Sequence, residues 1–414
     1  MAAETENPPE GYGARSGHGP ALAGDVPRGG SPAGGLGGGD PAGGFAPPPL
    51  FLERMQRLKT AVACGTPDRV PVCLMMDSFA AVTAGVRMSE YSADVNRGGA
   101  AALATMEKLG DVDAIQFPVN LPKLLGMIWL TPVRIAGRDL AEDSLWQLDE
   151  QVRIRLEDYD RILEMGWTPW LGEYIGKYLQ EEAAAAQVVV EAGPRWAAEF
   201  MKKGYVAFIA SNVTHPFEQL SGGRSVKEFM LDLFQRGSKV VAVMEKIMEE
   251  RRTETRQMVR HIGPYGYQVG SWRSSPEFLS PRLWDRFVWP YLKELVEIVA
   301  EEGGTPVLHF DANWDREIER LKELPAGRCI LTTDGRTDVF RASRVLAGHM
   351  CIMGDVPPTL LTLGTVEQVR SYCRRLLTEI GPSGYIMAAG CTIPKDARLE
   401  NVQAMVDSVK ELGT

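Results

Sequence analysis

The chain has 414 residues, 44% of them hydrophobic, and a formal net charge of −9, so material for a large core is present. Its charges are scattered, with no basic stripe of the kind a nucleic-acid surface needs, and no apolar run approaches the ~18 residues of a membrane span. Six cysteines stand far apart, at 64, 73, 329, 351, 373 and 391, without a CxxC pair; free thiols in a reducing, cytoplasmic setting are expected rather than a disulfide framework.

In chain order, residues 1–50 come first, with 14 of the 43 glycines and 9 of the 27 prolines. Such a stretch buries too little surface to offset its ordering entropy, so a disordered Gly/Pro-rich tail is expected there. It has neither the apolar core of a secretory signal nor the arginines of a transit peptide. Residues 51–414 then alternate short apolar runs with longer amphipathic stretches. Strands are predicted at 70–76, 113–117, 205–211, 267–272, 305–311, 328–333, 349–356 and 384–391, each rich in Val, Ile, Leu, Met or Phe like parallel strands covered on both faces. Helices are predicted at 281–302, 366–380 and 399–412 from apolar residues at helical spacing. Residues 140–200 show no clear period, and 143–160 reads as a polar insertion.

Eight strands alternating with helices point to one α/β domain, a (β/α)8 TIM-type barrel over residues 51–414. The glycine fingerprint of a doubly wound dinucleotide fold is missing. A barrel works at the carboxyl ends of its strands, and Asp77, Asn120, Ser271, His309, Asp311, Asp334, Asp355 and Cys391 fall at such ends. His309 and Asp311 are two apart on one strand and face the same side; Cys391 closes the last strand. One imidazole, one carboxylate and one thiolate are zinc donors of the expected kinds, with a fourth position left for a reactant. The bland alternatives are a chance His-x-Asp and a cysteine that merely packs. His349 with Cys351 is a weaker pair, because it opens a strand and belongs to the opposite end.

Several segments in order resemble the uroporphyrinogen decarboxylase superfamily: Thr66-Pro-Asp-Arg-Val-Pro71, Gly354-Asp-Val-Pro-Pro358, Leu363-Gly-Thr365, Ile380-Gly-Pro-Ser-Gly-Tyr385, Gly390-Cys-Thr-Ile-Pro394 and Glu400-Asn401. The resemblance covers residues 50–414 and is strongest in the last 110. It implies two chemistries on one barrel. In the decarboxylases a Met-Arg-Gln-Ala-Gly-Arg-Tyr stretch binds substrate carboxylates, but here Met75-Met-Asp-Ser-Phe-Ala-Ala81 carries neither arginine. Asn120 stands where their substrate-holding aspartate is expected, and Cys391 where they have a late histidine. The other branch moves methyl groups between a corrinoid protein and a thiol or other heteroatom acceptor or donor, at a zinc site similar to His-x-Cys plus a late Gly-Cys. His309 matches its first ligand and Cys391 its last, with Asp311 in place of the middle cysteine.

The resemblance therefore implies a zinc-dependent methyltransferase with His309, Asp311 and Cys391 on the metal and a small-molecule methyl donor or acceptor. Asp77 and Asn120 would be catalytic or orienting groups. Trp272 and Trp314 would wall the pocket, and Asp334 and Asp355 would hold the second nitrogen of His309 or cap helices. The Asp-x-His-x-x-Gly signature of cobalamin carriers is absent, so the corrinoid would arrive on a partner protein; a homodimer is also compatible. The alternatives are a decarboxylase of a tetrapyrrole or other carboxylate, for which Arg87, Arg134 and Arg273 are the candidate carboxylate binders, and a non-catalytic corrinoid- or tetrapyrrole-binding module. Ser221-Gly-Gly-Arg-Ser225 reads as a flexible loop.

Overall fold

The computed structural model describes residues 46–412. Most of the expected tail therefore lies outside the described residues. Its last two residues do not belong to a tail, because Pro49 and Leu50 open the helix Pro49–Val62. A proline at the first helical position loses no hydrogen bond and is already set to helical φ, which lets this helix start directly after Pro47-Pro48.

Each of the eight predicted strand runs overlaps an observed strand. These are β1 (Cys73–Leu74), β2 (Ala114–Ile115), a β5–β6 pair (Val206–Ala207 and Ile209–Val213), β7 (Gly266–Ser271), β8 (Thr305–Phe310), β9 (Ile330–Thr333), β10 (Cys351–Met353) and β11 (Tyr385–Ile386). The antiparallel hairpin β3 (Val133–Arg134) and β4 (Gln147–Leu148) was not anticipated. Parallel pairing runs β1-β2-β5 in one sheet and β6-β7-β8-β9-β10-β11 in the other. Only Phe208 separates β5 from β6, and an irregularity between Ile209 and Ser211 marks the bend. On the far side Val72 bridges Met387 in parallel; Cys73 N–H donates to the Met387 carbonyl at 3.0 Å and Met387 N–H to that of Pro71 at 2.8 Å. The result is an α/β fold with a parallel, TIM-barrel-like sheet.

Side-chain alternation sorts the strands into two faces. Cys73, Ala114, Val206, Val307, Ile330 and Cys351 pack together in one buried cluster, while their neighbours Leu74, Ile115, Leu308, Leu331 and Ile352 pack against helices in another. The first cluster is the interior of the sheet. Leu58 and Ala61 of the helix Pro49–Val62 join it, so that helix covers the amino-terminal end. Asp113, fully buried just before β2, is bound there by Arg57 at 2.5 Å, by Arg69 at 2.8 Å and by the Val72 N–H at 2.8 Å. Cys351 belongs to this end as well, away from the strand ends that carry His309.

Residues 140–200 fold mostly as three helices, Leu156–Met165, Trp167–Tyr178 and Gln180–Lys202. Their period is hidden by Pro194 and by a buried face built from aromatics, with Trp167 stacked on Trp170 and Trp170 on Tyr174. The segment expected as a flexible loop at 221–225 is instead largely helical, within Pro216–Gly223. Its glycines permit close packing: a Cβ on Gly222 would lie 1.8 Å from the Trp129 carbonyl oxygen, and one on Gly223 would lie 2.5 Å from Ile154.

Candidate metal centre

His309 and Asp311 leave β8 on its interior face, two residues beyond Val307, and Cys391 follows β11 on the turn Gly390-Cys391-Thr392. The fold brings all three together. His309 Nε2 lies 3.4 Å from Asp311 Oδ1 and 3.8 Å from Cys391 Sγ, and one donor atom from each residue falls within 4.8 Å of the others. Among the described residues this is the one cluster of three metal-competent groups. Donors around a tetrahedral zinc, bound at ~2.0–2.3 Å, stand roughly 3.3–3.8 Å apart, so two of the three separations already match an edge of such a site. Asp311 Oδ1 is buried and accepts no hydrogen bond. Three lone-pair donors converging in this way could hold a cation. Burial alone would lower the pKa of His309, but Asp311 and Cys391 outweigh burial and lift it to about 10.

His309 and Asp311 are held from behind. His309 is 3% exposed, and its Nδ1 faces Thr332 Oγ1 at 3.5 Å, Thr332 being its register partner on β9. Asp311 sits in a turn fixed at several points: the Trp314 indole donates to its carbonyl at 3.0 Å and Asp334 accepts the Ala312 N–H at 2.9 Å. Trp314 is itself fully buried and stacked on Phe310 at 3.7 Å. Its indole therefore anchors the Asp311 turn and has no face open to a ligand.

Asp334 and Asp355 do not contact His309. Asp334 falls beyond the end of β9, where its carboxylate accepts the N–H groups of Ala312 and Arg336. Asp355 is 2% exposed and takes a 2.8 Å hydrogen bond from the Tyr372 hydroxyl. Thr332 fills the position behind His309 that these aspartates were expected to fill. Burial pushes the Asp355 carboxyl up to about 7, with Tyr372 opposing and the charges of Asp334 and Asp338 adding. An acid whose folded pKa is raised above an unfolded value of about 3.9 favours the fold below that value, and the benefit is lost as pH rises through about 7. Asp355→Asn keeps the hydroxyl contact and removes this penalty. Calorimetry is expected to show its stability advantage over wild type growing by about 2–3 kcal/mol between pH 5 and pH 8. A constant difference across that range would mean that Asp355 does not titrate there.

Asp77 and Asn120 meet each other rather than the His309 cluster. They line a small cavity with Met76, Tyr91, Ala102 and Ile115, on the helix-facing side of β1 and β2. Burial raises Asp77 to about 6, against hydrogen bonds from Asn120 and Tyr91.

Trp272 does face the interior. It lies two residues beyond Gly270, the register partner of His309, and a Cβ on Gly270 would fall 2.0 Å from its ring. The indole thus lies back over Gly270, beside the strand that carries His309. Sequence reading missed the group that holds it, Glu218. This fully buried carboxylate accepts the N–H groups of Trp272, Arg273 and Ser274, each at 3.0 Å, the Ser274 hydroxyl at 2.6 Å and the Trp129 indole at 3.2 Å. A charged residue between Phe217 and Leu220, in the stretch Pro216-Phe217-Glu218-Gln219-Leu220, was the available signal.

The arginines considered as carboxylate binders are committed or exposed. Arg273 donates to Ser221 O at 3.2 Å and Glu150 at 3.0 Å, Arg87 is 60% exposed beside Glu90 and Glu142, and Arg134 is exposed with a bond to the Asp139 carbonyl. Among the described residues no helix is long and apolar enough to cross a membrane.

Comparison with known proteins accords with this architecture. A solved methyltransferase from Methanosarcina mazei shares the fold, with a TM-score of 0.64 over 86% of this chain and 98% of that one, at 17% identity. A uroporphyrinogen decarboxylase of Chlorobium phaeobacteroides is 26% identical over 196 residues, covering 46% of this chain and 54% of that protein. One of Anaeromyxobacter dehalogenans is 32% identical over 130 residues, covering 31% of this chain and 36% of that protein. The chain thus spans about half or less of these curated relatives. Residues 172–412 match the family described as Uroporphyrinogen decarboxylase (URO-D). That match takes in more than half of the chain, both halves of the His309–Cys391 cluster included: the protein belongs to the uroporphyrinogen decarboxylase family.

Proposed function

We propose that the chain is a zinc-dependent methyltransferase of this family, built on a closed (β/α)8 barrel over residues 51–414. Closure is supported by the Val72–Met387 bridge and by the near-continuity of β5 and β6. The observation that carries the function is the convergence of His309, Asp311 and Cys391 on one point, with the buried Asp311 oxygen left without a hydrogen-bond partner. Bound there, zinc would supply the positive charge that keeps an acceptor thiol as its thiolate near neutral pH.

The chain's own residues do the positioning. Thr332 sets the ring of His309, Trp314 and Asp334 hold the turn of Asp311, and Trp272 on Gly270 bounds the space beside the donors. In the transfer, a sulfur–carbon bond forms as the methyl group's bond to its donor breaks, the electron pair leaving with the donor. The donor we favour is a corrinoid delivered by a partner protein.

Decarboxylation is the second reading, favoured by curated relatives such as those of Chlorobium phaeobacteroides and Anaeromyxobacter dehalogenans, named uroporphyrinogen decarboxylase. The names support this reading more than methyl transfer; the donor cluster and the committed arginines support the reverse. One pair of assays separates them. The purified protein is given methylcob(III)alamin with 2-mercaptoethanol, or uroporphyrinogen, each before and after chelation. Thiol methylation that chelation abolishes is the expected result. Decarboxylation that survives chelation would overturn the proposal.

A further inference from the structure

Beneath the His309 layer the interior of the sheet changes character. Gln268 is the register partner of Val307, an interior residue, and Asn212 is the register partner of Gln268. Gln116 lies one residue beyond β2, two positions after the interior residue Ala114. Its backbone continues the ladder, its N–H donating to the Leu74 carbonyl and its carbonyl accepting the Ile209 N–H, each at 2.8 Å. Alternation therefore turns all three amide side chains inward, on neighbouring strands. Gln268 and Asn212 stand one inward step before Gly270 and His309, roughly 6–7 Å along the strand axis. Gln116 and Gln268 are nearly fully buried, at 3% and 4% exposure. Gln116 Oε1 and Asn212 Oδ1 are buried with no hydrogen-bond partner.

Buried amide oxygens are almost always paired, because leaving one unpaired costs about 1–3 kcal/mol. Two such oxygens on one interior face, next to a donor cluster with a third orphan on Asp311, mark the place of a polar ligand. Its charge follows from the surroundings. From mid-strand to carboxyl end, no lysine or arginine takes an inward position among the described residues, and Asp311 and Asp334 lie on that face at the rim. Away from the metal itself, a carboxylate or sulfonate would meet no cation and two acids. Ammonium is also disfavoured at the amide layer, where no carboxylate lies to pair with it.

We propose that the acceptor bound opposite His309, Asp311 and Cys391 carries an uncharged hydrogen-bonding group, a hydroxyl or carboxamide, seated on Gln116, Asn212 and Gln268. The inference deepens the zinc-methyltransferase reading and rests on it. An amide can donate and accept at once, so three of them suit a group that does both. Gln116, Asn212 and Gln268 are thus specificity-determining residues.

The test uses full-length protein loaded with Co(II), whose thiolate charge-transfer absorption reports a thiol at the metal without turnover. Four probes share one thiol: 2-mercaptoethanol, ethanethiol, 3-mercaptopropionate and cysteamine. 2-Mercaptoethanol is expected to bind about tenfold more tightly than each of the others. Gln268→Met and Asn212→Leu are each expected to erase most of that margin, with Co(II) stoichiometry and far-UV circular dichroism as the check on folding. Tighter binding of the carboxylate or the ammonium probe, or a hydroxyl margin that survives both substitutions, would overturn the inference and leave the metal reading standing. Failure of Co(II) to bind at His309 and Cys391 would overturn both.

Discussion

Replacing Cys391 with serine is expected to strip the protein of its metal and to abolish methyl transfer together. Cys391 supplies the one sulfur of the cluster, and it comes from a different part of the chain from His309 and Asp311. Removing it leaves two donors from a single strand, too few for a stable zinc site. Metal affinity should fall by about 100-fold or more, since disturbing an outer-shell partner alone commonly costs 10–100-fold. Thr332→Val tests that lesser effect and is expected to weaken metal binding by roughly tenfold through a less firmly set imidazole. Cys373→Ala is the control. That thiol is fully buried, and burial pushes its pKa up to about 12, so it packs as a small apolar group and its loss should leave the metal content unchanged. Elemental analysis of the three variants checks the series. Full zinc occupancy in Cys391→Ser would place the metal elsewhere.

The largest effect on stability is expected at the other end of the sheet, from Asp113→Ala. Asp113 is fully buried and neutralises Arg57 and Arg69 while also accepting the Val72 N–H. Truncating it leaves the buried Arg57 and Arg69 with only the more exposed Asp68 and Asp111, and breaking buried pairs of this kind costs about 3–5 kcal/mol. Asp68 offers a controlled comparison. It binds the same Arg57, also at 2.5 Å, but its side chain is 67% exposed, and exposed pairs contribute about 0–1 kcal/mol. Urea unfolding should therefore separate Asp113→Ala from Asp68→Ala by several kcal/mol despite equal contact distances. Equal losses would mean that distance, rather than burial, sets the strength of these pairs. Because Asp113 lies away from His309, the metal content of both variants should match wild type.

How far the sequence speaks for this fold depends on the range of the interactions involved. The strand runs were legible because parallel strands buried on both faces need unbroken apolar segments, as in Thr305–Phe310. The pairing of His309 with Asp311 was legible because strand side chains repeat every two residues. The nearness of Cys391 was not contained in any local spacing; it needed the order of strands around the sheet. The groups behind the donors were harder still. Thr332 is an ordinary strand threonine until the β8–β9 register puts it beside His309. Asp334 reads like any strand-end acid until its carboxylate is found on the Ala312 N–H. Asp77 and Asn120 are even steps from the interior residues Cys73 and Ala114, but β1 ends at Leu74 and β2 at Ile115, and Asp77 already opens the helix Asp77–Thr83. Beyond the strands the chain turns both side chains toward Tyr91. The helices of residues 156–202 were obscured because their buried face is aromatic and small rather than aliphatic.

The account stands on a cation gripped by one nitrogen, one carboxylate oxygen and one sulfur. X-ray absorption at the zinc edge of the purified protein reads that shell directly. One sulfur at about 2.3 Å, with the remaining neighbours nitrogen or oxygen at about 2.0–2.2 Å, is the predicted spectrum, with the sulfur contribution absent in Cys391→Ser. A shell of oxygen and nitrogen alone in the wild-type protein, or no zinc at all, would contradict it.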